Sequence, residues 1–254
     1  MVFPLGDDNR DRTRTPFVNY AFIALNLFVF VVLQGLGSNT GFTYAFSTVP
    51  AEILSGQDLV TPAKVVETTT GQRFLMPGLG ATPVSVYLTL ITSMFMHGGI
   101  AHIFGNMLFL WIFGDNIEDR LGHLRYLGFY LLCGIIASLA HVFSTAAFAT
   151  NQNDLLVPSL GASGAISGVL GGYILLHPSR RVNVILFSII TAVPAWVAIG
   201  IWFAFQLISG LGMLGAGSQQ GGVAYAAHIG GFIAGLVLIK LFDMGRGDRP
   251  VRNY

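Results

Sequence analysis

Residues 161–176 read GASGAISGVLGGYILL, and residues 223–242 read VAYAAHIGGFIAGLVLIKLF. Each stretch repeats a small residue at every fourth position: Gly164, Gly168 and Gly172 in the first, Ala227, Gly231 and Gly235 in the second. A repeat of four lines one face of an α-helix. In an apolar helix such a stripe lets two backbones approach closely. Ser163 and His228 stand beside their stripes. The two stretches therefore read as helices packed on one another in a bilayer, with a hydroxyl and an imidazole carried into reach.

The rest of the chain agrees with a membrane setting. Of its 254 residues, 53% are hydrophobic and only 10% charged, against about 25% charged in a typical soluble domain. Mean hydropathy is +0.67. So few charges cannot clothe a water-soluble globule, and lipid must solvate much of the surface. The net charge of +1 offers no basic patch for nucleic acid. A single cysteine, Cys133, excludes an intramolecular disulfide framework and reads as a buried, inert thiol.

Six apolar stretches approach the roughly 20 residues a helix needs to cross hydrocarbon. They run from about Phe17 to Gly37, Ile100 to Asp115, Leu124 to Phe148, Ala162 to His177, Val184 to Leu214 and Val223 to Phe242. The fourth is short, so one end is expected to stop inside the bilayer. The fifth is long and is expected to tilt or break near Pro194. The first is longer than a signal-peptide core and reads as an uncleaved anchor. Basic residues orient the set. Arg10, Arg12 and Arg14 precede the first span, Arg120 and Arg125 follow the second, Arg180 and Arg181 follow the fourth, and Lys240, Arg246, Arg249 and Arg252 end the chain. The alternate loops hold only Lys64 and Arg73. This reading makes the chain an all-α polytopic membrane protein of six transmembrane helices, with both termini cytoplasmic and residues 1–254 in one domain. It has tails at 1–16 and 243–254, a core at 17–242, and a long structured external loop at about 38–99. Within that loop, 87–96 either extends the second span or lies as a partly inserted helix against the bundle.

Polar side chains inside spans are functional suspects. Hydropathy and arginine counting bring four of them to one depth, near the outer leaflet: Ser163, His228, His102 and Asn106. The last two are i and i+4 and share a helix face. A serine hydroxyl needs a base to become a nucleophile, and neutral histidine supplies one near physiological pH. Acyl transfer also needs donors for a developing oxyanion. The backbone N–H groups of Ala162 and Ser163, the Asn106 amide and a ring N–H of His102 are the candidates. No acidic residue falls in these outer half-spans, so the expected unit is a Ser163–His228 dyad without a third, carboxylate member.

At these residues the chain resembles the rhomboid intramembrane serine proteases, over about Phe17 to Phe242. The nucleophile motif Gly-x-Ser-Gly matches Gly161, Ala162, Ser163 and Gly164. The base motif of Ala-His followed by spaced glycines matches Ala227, His228, Gly230, Gly231 and Gly235. The His/Asn pair matches His102 and Asn106, and a Glu-x-Arg element matches Glu118 and Arg120. The resemblance implies a rhomboid-like bundle that cleaves single-span membrane proteins near the outer leaflet, favouring a small residue before the scissile bond. It implies packing roles for Gly161, Gly164, Gly168, Gly231 and Gly235, and a structural role for Glu118 and Arg120. It further implies a lateral gate on the fifth span built from Pro194, Trp196, Trp202, Phe203 and Gln206, a first loop lying partly in the membrane, and no metal or organic cofactor. Partners are then the lipid bilayer and transmembrane substrates, and the expected location is a bacterial cell membrane with the site facing outward. Some family members place an aromatic four residues after the nucleophile, on the histidine. Here that residue is Ser167, so Tyr225 or an ordered water is expected to orient His228.

Other roles are weighed for the same residues. His97, His102 and His228 are a conceivable zinc set, but no His-Glu-x-x-His pattern occurs. Polar groups between glycine-broken spans also suit a transporter, yet the halves show no inverted repeat. A catalytically silent relative that only binds membrane helices is expected to lack the serine or the histidine. His97 reads as a loop-capping residue, His141 as a buried or interfacial polar group, and His123 and His177 as residues at inner helix ends.

Overall fold

A computed structural model describes residues 2–67, 73–76, 78–186, 189–216 and 225–245. A strand, β1 (Val2–Asp7), precedes the first apolar helix, α1 (Phe17–Phe28), which runs on through a wide π-type turn at Val29–Leu33. The first loop holds short helices α2 (Thr40–Ala45) and α3 (Pro50–Ser55) and a hairpin of β2 (Lys64–Glu67) and β3 (Arg73–Met76). It ends in a helical stretch at 86–95 that includes α4 (Thr89–Thr92). Helix α5 (Ile100–Phe109) widens into a π turn at Leu110–Gly114 and continues as α6 (Asp115–Leu121). Then follow α7 (His123–Phe148), α8 (Ser163–Leu176), the hairpin of β4 (Arg181–Leu186) and β5 (Ile189–Pro194), α9 (Ala195–Ala216) and α10 (Tyr225–Asp243).

Among the described residues, three helical stretches are long and apolar enough to cross a membrane: 100–121, 123–148 and 225–243. Shorter apolar helices occupy 17–33, 86–95, 163–176 and 195–211. The chain is therefore a mostly helical membrane protein.

Helix α8 is the buried centre. Every residue from Gly164 to Tyr173 is buried, as expected of a helix that is apolar all round. It packs chiefly on α10 and α7. The α8–α10 contact is nearly backbone on backbone. A Cβ added at Gly231 would run into the Gly164 carbonyl, one at Gly235 into the Gly168 carbonyl, and one at Gly171 into the Phe232 carbonyl. Gly172 faces Ile239 and Phe129, and Gly164 also abuts Ala137 of α7. The glycines thus serve a three-helix junction.

Two features correct the all-α expectation. Residues 184–186 and 189–194, taken as the start of the fifth span, belong to the paired strands β4 and β5, and the helix begins only at Ala195. Val184, Ile185, Ile189, Ile190, Thr191 and Val193 are β-branched, which favours a pleated strand as much as it raises hydropathy. Residues 2–7, taken as part of a tail, pair antiparallel with β4 in a three-stranded sheet of order β1-β4-β5. The β1–β4 register shifts between Pro4 and Gly6, beside a proline that has no N–H to give the ladder.

A polar belt ties this end of the bundle. Glu118, fully buried, accepts the backbone N–H groups of Val18 (2.9 Å) and Asn19 (2.7 Å). These are orphan donors of the first turn of α1, and a carboxylate there also complements the helix dipole. Arg120 grips both oxygens of Asp243 at 2.7 Å, joining α6 to the end of α10. Asn19 donates to the Leu110 carbonyl (2.9 Å), at the start of the π turn where the regular helix ladder is interrupted.

Candidate active site

Ser163 opens α8, two residues after a positive-φ turn at Gly161. Gly161 has φ +122°, a conformation that side-chain-bearing residues rarely adopt. The approach to the bend is fixed by the first loop. Thr48 and Ser159 form an antiparallel bridge, Gly161 N–H donates to the Ser93 carbonyl at 2.9 Å, and Thr48 Oγ1 and Ser93 Oγ meet at 2.9 Å. Backbone N–H groups in the first turn of a helix have no intrahelical acceptor, so the start of α8 offers donors beside the Ser163 hydroxyl.

His228 lies on the first turn of α10. Its Nε2 is 2.8 Å from Ser163 Oγ, so the hydroxyl is placed to donate to the ring. The other ring nitrogen, Nδ1, is 2.7 Å from Gln206 Oε1 of α9. Gln206 is thus a partner of the imidazole where Tyr225 or a water was expected to orient it. The Tyr225 ring sits edge-on at 6.4 Å between centroids. Ser167 turns away altogether, its hydroxyl donating to the Ser163 carbonyl at 2.6 Å. Both ring nitrogens of His228 are thus occupied by Ser163 and Gln206. Among the described residues, no group of three or more His, Cys, Asp or Glu side chains is placed to hold a metal ion.

His102 and Asn106 follow on α5, and they behave differently from one another. Gly98 N–H points at His102 Nδ1 (3.4 Å), which leaves the proton on Nε2. The ring lies so close to Gly161 that a Cβ there would stand 2.8 Å from His102 Nε2 and 3.7 Å from Ser163 Oγ. The His102 N–H and the Ser163 hydroxyl therefore flank one spot. Asn106 is buried and its Nδ2 is 2.9 Å from His97 Nε2. One amide hydrogen thus faces His97.

His97 goes further than loop capping. It is fully buried, and its ring meets Phe30 and His102 edge-on, at 6.5 and 5.1 Å between centroids. Its backbone is clamped from both sides by Gln34: His97 N–H donates to Gln34 Oε1 and Gln34 Nε2 donates to the His97 carbonyl, each at 2.9 Å. Sequence reading passed over Gln34. The one available sign was a buried-type amide at the end of an apolar run, which has little specificity alone.

The residues assigned to a gate differ in exposure and in what they touch. Pro194 ends β5, and Trp196 is exposed on the first turn of α9. Trp202 is half-buried against Phe109, Phe232 and His228, and Phe203 stacks on Phe232 at 4.1 Å. Gln206 is buried and bonded to His228. Glu118 and Arg120 stand at the other end of the bundle, in the belt described above.

A cavity of about 20 Å³ adjoins Ser163, walled by Met94, Gly134, Ala137, Ser138, Ser159 and Ala227 among others. It has room for about one water or a small side chain.

Comparison with known proteins gives the same picture. Residues 85–243 match the Rhomboid domain family model. Among curated proteins, the chain is 33% identical over 154 residues to Rhomboid protein 1, mitochondrial, of Saccharomyces cerevisiae, covering 61% of this chain and 41% of that protein. It is 33% identical over 173 residues to Presenilin-associated rhomboid-like protein A, mitochondrial, of Danio rerio, covering 65% and 40%. It is 28% identical over 223 residues to Rhomboid protease GluP of Bacillus subtilis, covering 87% and 34%. The chain thus spans well under half the length of these relatives. With the family model reaching from the end of the first loop through α10, this chain belongs to the rhomboid family.

Proposed function

We propose that this protein is an intramembrane serine protease that hydrolyses peptide bonds of single-span membrane proteins. The observation that carries the reading is the 2.8 Å contact between Ser163 Oγ and His228 Nε2 across two apolar helices.

In this reading Ser163 Oγ attacks the scissile carbonyl carbon and its proton passes to His228 Nε2. The oxyanion is met by backbone N–H groups at the start of α8, by His102 Nε2–H and by the Asn106 amide. Collapse breaks the C–N bond, and His228 returns the proton to the leaving amine. A water, deprotonated by the same nitrogen, then hydrolyses the acyl-enzyme and restores the serine. The 20 Å³ cavity beside Ser163 supports a preference for a small side chain at the cleaved position.

Six crossings are proposed: α1 with its extension, α5 with α6, α7, α8, α9 and α10. At 1.5 Å per residue α7 spans about 39 Å, ample for the roughly 30 Å of hydrocarbon. Helix α8, with 14 residues, reaches only about 21 Å. A helix that short supports a serine recessed below the surface. Arg12, paired with Asp115, and Arg180, donating to the Asp8 carbonyl, stand with Glu118 and Arg120 at the opposite end of the bundle from Ser163. This supports both termini on the cytoplasmic side, with the site opening to the other face, the outer one in a bacterial cell.

The test is purified protein in detergent or proteoliposomes with a fluorescent single-span substrate. Fragment should be released by the native chain and not by Ser163→Ala or His228→Ala, both keeping the native melting temperature. Fragment release that survives either substitution ends the proposal.

A further inference from the structure

We infer that Gln206 is the positioning residue of the active histidine, holding His228 in the one tautomer that can take a proton from Ser163. The inference rests on the hydrolase reading above and adds a residue on a third helix to it.

Four observations carry it. First, Gln206 Oε1 lies 2.7 Å from His228 Nδ1 while Nε2 of the same ring lies 2.8 Å from Ser163 Oγ. A carboxamide oxygen only accepts, so with Oε1 on this side Nδ1 carries the proton. Nε2 then presents its lone pair to the hydroxyl, the arrangement a general base requires. Second, Gln206 is buried, 6% exposed, and a buried amide is retained in an apolar helix face only where it is bonded. Third, its neighbours build a face for this contact. Trp202, Phe203, Gln206 and Gly210 recur at i, i+1, i+4 and i+8 along α9. Trp202 lies 6.1 Å from the His228 ring, Phe203 stacks on Phe232, and a Cβ at Gly210 would stand 3.2 Å from Tyr225 Cβ. Helix α9 is thereby seated close to the first turns of α10. Fourth, the position four after the nucleophile is taken by Ser167, whose hydroxyl is used on its own helix, so α8 itself puts no ring on His228.

The choice of an amide has a chemical consequence. A carboxylate on Nδ1 would stabilise the imidazolium formed when Ser163 gives up its proton. Gln206 fixes direction without supplying charge. It can also turn over. With its –NH₂ toward Nδ1 the ring proton would move to Nε2, facing Ser163 with a donor, and the pair would be idle. The Nδ1–H···Oε1 bond at 2.7 Å is what favours the productive sense.

The experiment uses the full chain in detergent, with Gln206→Leu, Gln206→Glu and native protein compared for cleavage of a single-span substrate and for the rate of Ser163 labelling by a fluorophosphonate. Gln206→Leu keeps the volume and removes the acceptor. It should lower kcat and the labelling rate about tenfold, the value of one lost orienting hydrogen bond, with KM unchanged. Gln206→Glu restores an acceptor, so it should recover most of the labelling rate and move the acidic limb of the pH–rate profile to higher pH. If native protein is active and Gln206→Leu matches it in both rates, the inference is overturned while the protease reading stands. If Gln206→Leu fails to fold, the pH profile of Gln206→Glu decides, an unmoved profile overturning the inference. If native protein neither cleaves nor labels, the protease reading falls. The inference is then judged by ¹⁵N NMR of histidine-labelled protein, where it requires a single Nδ1–H tautomer at His228 that becomes a mixture in Gln206→Leu.

Discussion

At Gly161 two constraints fall on one Cα. The backbone sits at φ +122°, and the space a side chain would need is filled by the His102 ring 2.8 Å away. Left-handed backbone alone makes alanine unfavourable by roughly 1 kcal/mol, and the imidazole would have to move as well. Gly161→Ala should therefore leave the melting temperature within a few degrees of native yet reduce cleavage and fluorophosphonate labelling of Ser163 by at least about tenfold, because the displaced groups are the nucleophile's own neighbours. Equal activity in the two proteins would mean that His102 has no part at this site. The same scale shows where the sequence was and was not legible. Ser163, His228, His102 and Asn106 announce themselves because a polar residue in an apolar run has few other reasons to be there. Gln206 and Gln34 were not readable in these roles. Each bonds a group that no spacing rule connects to it, 22 residues away for His228 and 63 for His97, and an amide's partner depends on how helices are seated.

Among the elements, the contact of α8 with α10 rests on glycines whose missing side chains are the contact. A Cβ at Gly235 would overlap the Gly168 carbonyl and Cα, both backbone atoms that cannot rotate aside. Gly235→Val should force the helices apart, lower the melting temperature and abolish cleavage. Gly200→Ala, on the face of α9 with nothing within 4 Å of its Cβ position, should change neither. A native melting curve for Gly235→Val would show that the close approach is dispensable. This packing was legible from period four alone, since the repeat is written locally in each helix. The start of α9 was not. Val184 to Pro194 has the hydropathy of a span, and only its β-branched composition hinted at strands whose partner, β1, lies at the far end of the chain.

For the molecule as a whole, the polar belt and the Ser163–His228 pair stand at opposite ends. The belt around Glu118 satisfies the first turn of α1 and meets His123 at 2.5 Å, and Arg120 anchors α10 through Asp243. Glu118→Ala would strand buried N–H groups, a loss of order 3 kcal/mol, and should lower the melting temperature by several degrees. The molecules still folded should cleave at the native rate, since nothing in the belt touches Ser163 or His228. Loss of specific activity in proportion to nothing but Glu118 would tie the two ends together. The sheet at this end carries a consequence of its own. Val2 pairs with Leu186 and Asp7 with Val182, so about 175 residues of chain separate β1 from the strand it needs. Until the ribosome has delivered β4, that segment has no fixed place, and its docking is among the last events of assembly rather than the first.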